Sequence, residues 1–132
     1  MHGAAADAIS AQRRLIAEWE KSMSVGNTNA VGLQARLYSS LARMYPVAER
    51  SLACAALDQA LAIKQKLLVR EPERFRNALA LIEDAAQAHE WNTAARPCVD
   101  PRYRGAALEH LAALNKRGVK HLALAGLAAK LR

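Results

Sequence analysis

Four histidines, two cysteines and twelve carboxylates are the side chains through which this chain of 132 residues could hold a metal or move a proton. The histidines are His2, His89, His110 and His121. No two stand four apart, the spacing that brings two imidazoles onto one helical face, and neither HExxH nor CxxC occurs. His89 falls in an apolar stripe beside Trp91, where a hydrogen-bonded core histidine is the ordinary explanation. Glu83 and Asp84 are adjacent carboxylates, but neighbours on a helix point about 100° apart. The two read as a solvated face rather than an acid–base dyad. Glycine-rich phosphate loops and nucleophile elbows are absent. The residues therefore name no catalytic group, no cofactor-binding group and no metal ligand, and the expectation is a non-enzymatic protein without a cofactor.

Charge is the other chemistry on offer, and it is uneven. Residues 1–90 carry 11 Lys and Arg against 10 Asp and Glu, a balance of +1, whereas residues 91–132 carry eight against two, a balance of +6. Such a field attracts phosphates, acidic protein surfaces and anionic lipid through the same electrostatics. The candidate contacts for a polyanion or acidic partner are Arg102, Arg104, Lys116, Arg117 and Lys120. A helix–turn–helix outline can be drawn over Leu108–Leu131, but its second segment, Lys120 to Lys130, has no Asn, Gln, Ser or Thr to reach base edges. Base-specific readout is not expected. Phosphate contact needs only charge. The competing explanation is that these residues cap helices and keep an apolar domain in solution.

The elements that must position these groups are helices. Thirty residues are alanine and eighteen are leucine, the best helix formers, while β-branched and aromatic residues are scarce. A first amphipathic segment runs from about Asp7 to Met23, with Ile9, Leu15, Ile16, Trp19 and Met23 on one face. Gly26-Asn27 breaks it, and Asn27 or Thr28 can cap the next. The second segment sets Leu33, Leu37, Leu41 and Met44 against Arg36, Ser39 and Arg43, and ends before Pro46. The third runs from Pro46 to Arg70 with a wide apolar face that includes Leu57, Ala60, Leu61 and Leu68. Lys64 stands in the middle of that face. It either snorkels past the core edge or meets an acidic partner.

The fourth segment follows Pro72, with Phe75, Ala78, Leu79, Ile82, Ala85, Ala86 and His89 inward and Glu83 and Asp84 among the outward residues. Trp91 to Asp100 loses the pattern between helices. Asp100-Pro101 starts the fifth segment, which closes at Gly118 in a left-handed conformation. The last, Val119 to Leu131, is apolar over more than half its circumference and wants burial on more than one side.

Residues 37–72 resemble a single tetratricopeptide-type helical hairpin. The matching text is Leu41-Ala42-Arg43-Met44-Tyr45, then Ala53, Leu57 and Gln59-Ala60-Leu61-Ala62-Ile63, with Pro72 following. The resemblance implies two closely packed helices and a groove for a peptide or partner helix. It departs from the family at Pro46, in the length of the second helix, and in lacking a second copy about 34 residues on.

These observations predict an all-α fold: a compact bundle of five or six mostly antiparallel helices, forming one domain over residues 1–132. Its parts are a near-neutral body (1–90), an irregular link (91–100) and a basic C-terminal helical hairpin (101–132). The function expected is a self-associating protein-interaction or adaptor module, whose partner is another protein or a second copy. Its candidate apolar interface is Lys64, Leu122, Leu124, Leu127 and Leu131. The alternative is a nucleic-acid-binding accessory protein. No stretch approaches the roughly 18 apolar residues of a membrane span, and Met1–Ser10 lacks the pattern of a secretory signal. Cys54 and Cys98, with no close or metal-type spacing, read as buried or free thiols of a cytoplasmic protein.

Overall fold

The bias toward helix is realised along the chain. The computed structural model describes residues 3–94 and 98–132, with side chains from Ala5 onward. It holds α1 (Gly3–Ser22), α2 (Thr28–Met44), α3 (Arg50–Arg70), α4 (Phe75–Ala94), α5 (Arg102–Lys116) and α6 (Leu122–Leu131), with no strand among the described residues. His2, Arg96 and Pro97 lie outside the described residues.

Local chemistry sets most of the boundaries. Asn27 caps α2, its Oδ1 accepting the N–H groups of Asn29 and Ala30 at 3.0 and 3.1 Å. Tyr45 is extended, as a residue before proline must be. Pro46 does not enter a helix directly: a 3-10 turn, Val47–Glu49, intervenes, so α3 starts later than the sequence suggests. Gly118 closes α5 at φ +75°, where the Val119 N–H reaches back to the Leu114 carbonyl at 3.0 Å. His121 opens α6, its Nδ1 accepting the Ala123 N–H at 3.1 Å.

Two expectations fail between Trp91 and Asp100. The helix does not stop at Trp91 but runs to Ala94. The indole is buried, and the Arg50 guanidinium lies 4.4 Å from the ring centroid, so tertiary packing extends the helix past its sequence periodicity. The described end of the link is held by Asn92, whose Oδ1 accepts the Cys98 and Val99 N–H groups and whose Nδ2 donates to the Val99 carbonyl. The free thiols are also corrected. Cys54 on α3 and Cys98 in the link form a disulfide, with Cα atoms 5.7 Å apart. Forty-four positions separate them, so only the fold could bring them together.

Consecutive helices run antiparallel. Gln12 of α1 donates to the Leu37 carbonyl, whereas Trp19, further on, donates to that of Ala30. Arg70, at the end of α3, donates to the Val25 carbonyl just before α2. Arg104 joins the start of α5 to the end of α6 through the Leu131 carbonyl, at 2.6 Å. The α2–α3 contact is the most extensive in the molecule. It buries Ala35, Leu41 and Ala42 on one side and Ala53, Leu57, Ala60 and Leu61 on the other. Leu15, expected inside, is instead half exposed, because α1 has only α2 as an extensive neighbour.

Candidate anion-binding cleft and the positively charged end

One polar residue on each of three apolar helix faces forms the centre of the molecule. Lys64 of α3 is 6% exposed, Asp84 of α4 is 2% and Ser39 of α2 is 7%. The Lys64 ammonium donates to Asp84 Oδ2 at 2.5 Å and to Ser39 Oγ at 2.9 Å. Ser39 donates to the same Oδ2 at 2.5 Å, and Arg43 reaches Oδ1 at 3.0 Å. Three expectations are corrected here. Asp84 is not on a solvated face, Ser39 is not on the outer side of α2, and Lys64 does not belong to an apolar interface awaiting an acidic partner: its acid is Asp84. The signal was in the spacing. Leu81, Asp84, Ala85 and Ala88 form a stripe, as do Ala35, Ser39 and Ala42.

The cluster contains a serine, an amine and a carboxylate, the residue types of nucleophilic catalysis. Its arrangement suits a structural role better. The three groups hydrogen-bond one another, and Ser39 is not among the residues that line the neighbouring cavity.

That cavity is a cleft of about 720 Å³ between the N-terminal halves of α2 and α4, with α3 contributing Lys64 and Leu67. Arg36, Arg74 and Arg76 bring further cations; Thr28, Asn29 and Asn77 bring neutral polar groups; and Gly32, Ala35, Phe75 and Ala80 complete the lining. No Asp or Glu lines it. Arg74 is paired with Glu71 at 3.1 Å, while no carboxylate pairs with Arg36 or Arg76 among the described residues. Sequence reasoning missed this cleft because its cations are balanced in number by acids that lie elsewhere in the near-neutral body.

The basic hairpin divides in two. α5 has 15 residues, so at about 1.5 Å per residue it spans roughly 22 Å. Arg102 and Arg104 lie at one end of it, Lys116 and Arg117 at the other. Arg102 is bound to Asp100 through Nη2 at 2.7 Å and Nε at 3.0 Å. This hydrogen bonding draws the Asp100 carboxyl below its ordinary value and raises the guanidinium. Arg104 is half-buried and caps α6. Neither joins the other three candidates.

Lys116, Arg117 and Lys120 instead lie beside the start of α4. Arg117 sits 3.6 Å from Glu73, and the His121 and Phe75 rings pack at a tilt of 44° with centroids 5.4 Å apart. Lys116 and Lys120 are exposed, with no carboxylate partner among the described residues. The proposed apolar interface on α6 is turned inward: Leu124, Leu127 and Leu131 are buried against the bundle, and only Leu122 is fully exposed.

Among the described residues no three His, Cys, Asp or Glu side chains gather as a metal site, and no helix is long and apolar enough to cross a membrane. No family model, curated protein or solved structure matches the chain.

Proposed function

We propose that this chain is a non-enzymatic helical interaction module that docks an acidic protein on its positively charged end. The observation that carries the reading is the convergence of Arg74, Arg76, Lys116, Arg117 and Lys120 from separate stretches of chain, with Glu71 and Glu73 as the nearby acids. Charges so placed steer a partner and fix its orientation more than they hold it. Beside them Asn115, Val119, Lys120 and Leu122 border an open groove that supplies apolar contact. Self-association through α6 is not part of the reading, since Leu124, Leu127 and Leu131 are committed to the core. Nor is a cytoplasmic location, because an intramolecular disulfide fits an oxidising compartment.

Nucleic acid is the second reading, favoured by the same cations. The placement of Arg102 and Arg104 at the far end of α5 leaves it without the long basic track that would follow a phosphate backbone. Capture from the source cell with wild type and the K116E/R117E/K120E variant, each with and without nuclease, tests both. The expected partner is a protein, is retained after nuclease, is released by salt, and is lost with the triple variant. Release by nuclease alone transfers the function to nucleic acid. Undiminished capture by the triple variant overturns both readings.

A further inference from the structure

Beyond that docking surface, we propose that the cleft between α2 and α4 is a ligand site for a small phosphomonoester with an apolar or aromatic body. The first argument is the sign of the lining, which contains Arg36, Lys64, Arg74 and Arg76 but no Asp or Glu. Asp84 balances Lys64 in the core, while Arg43 reaches it from a side chain that is 42% exposed to water. An ammonium has three donors. Two of those on Lys64 go to Ser39 and Asp84, and the third has no acceptor among the described residues. Lys64 also lines the cleft. Lys64 therefore adds its positive field to a cleft whose other charged side chains are all arginines, an environment that suits an anion.

The second argument is placement against helix stability. The first turn of a helix favours carboxylates and disfavours cations. Neither α2 nor α4 has an acidic residue in its first turn. α4 instead begins at Phe75 with Arg74 just before it and Arg76 just after. Arg74 has Glu71 to offset it, but folding gains nothing from the Arg76 guanidinium there, whereas an anion in the cleft would.

The third argument is size and shape. About 720 Å³ falls within the roughly 300–1,000 Å³ of small-molecule sites. Arg36, Arg76 and Lys64 suit a doubly charged phosphate; Leu67, Phe75 and Ala80 suit an uncharged body; and Asn29 and Asn77 offer amide hydrogen bonds between them. Gly32 marks the wall. A Cβ added there meets nothing within 4 Å, so a side chain can start from this position of α2 toward the cleft.

That last feature supplies a test in which the protein stays folded. Inorganic phosphate, phenyl phosphate and adenosine 5′-monophosphate are titrated into the isotope-labelled full chain, with adenosine as the uncharged control. The two organic phosphates should shift the amide resonances of Gly32, Lys64 and Phe75–Asn77 at millimolar concentration or below, more tightly than inorganic phosphate; adenosine should shift none. Arg36→Gln and Arg76→Gln should each weaken binding about tenfold. Gly32→Leu should abolish binding, while Gly32→Ala keeps it; both replacements favour helix over glycine, so melting midpoints at or above wild type show that blocking, not unfolding, is responsible. The K116E/R117E/K120E variant should bind as wild type does, which separates this site from the Lys116, Arg117 and Lys120 part of the docking surface, Arg74 and Arg76 being shared by both. Silence toward all three phosphates, or binding that survives Gly32→Leu, overturns the proposal.

Discussion

Replacing Cys98 with serine removes the cross-link with little other disturbance, since Cys98 is exposed whereas Cys54 is buried. The bridge closes residues 44 apart. In the chain-entropy treatment an unfolded chain freed of such a ring regains roughly 13 cal/mol/K, about 4 kcal/mol at 25 °C. A chain of 132 residues unfolds with about 2.1 cal/mol/K per residue, roughly 0.28 kcal/mol/K in all, so the melting midpoint should fall by about 14 °C. The hydrogen bonds from Asn92 to residues 98 and 99 do not involve sulfur, so those two residues should stay in place and helix content should hold. The assay is thermal unfolding followed by far-UV circular dichroism for oxidised wild type, wild type in excess dithiothreitol, and Cys98→Ser. Reduced wild type and the variant should melt together, and dithiothreitol should leave the variant unchanged. A variant melting within about 3 °C of oxidised wild type, or two titratable thiols in the native protein, would refute the reasoning.

Asp84→Leu strands the Lys64 ammonium in the core and should destabilise by about 3–5 kcal/mol, whereas Lys64→Met combined with Asp84→Leu should recover most of that loss in urea unfolding; a double variant as unstable as the sum of the singles contradicts this. Ala60 is fully buried, so Ala60→Leu should overpack α3 at a loss of about 1–3 kcal/mol, read as a lower thermal midpoint. An unchanged midpoint would remove the support that tight packing lends to the tetratricopeptide resemblance. Burial, with Glu20 as hydrogen-bond partner and neighbouring charge, raises the Tyr38 phenol from its usual 10.0 to about 12. The native state therefore holds this proton longer than the unfolded chain does. Its contribution should be intact below pH 10 and be lost between there and about 12. Tyr38→Phe should flatten the fall in stability over that interval, and an equally steep fall would show that Tyr38 is not its source.

What the sequence made legible was local. Asn27, Pro46 and Gly118 punctuate the chain through capping, restricted backbone geometry and a left-handed residue, and each chemistry acts within a few positions of itself. The long-range features were not legible in that way. Asp84 beside Glu83 looks like half of a charged surface until Lys64 and Ser39 arrive from other helices. The same holds for Cys54 and Cys98, and for Arg36, which reaches the cleft from a helix far along the chain from Arg74 and Arg76. Net charge misled for a related reason. Counting by stretches of sequence grouped Arg102 with Lys116, which α5 holds apart, and separated Lys116 from Arg74, which the bundle places at the same end.

At that end three helices begin, α2, α4 and α6, and three finish, α1, α3 and α5. Their macrodipoles, equivalent to about half a charge at each terminus, oppose one another and nearly cancel. The backbone is thus an almost unpolarised carrier, and the field at this end is written in side chains alone. Such a field can be reversed, erased or moved to the opposite end by exchanging exposed residues such as Lys116 and Lys120, with the helices that display it left as they are.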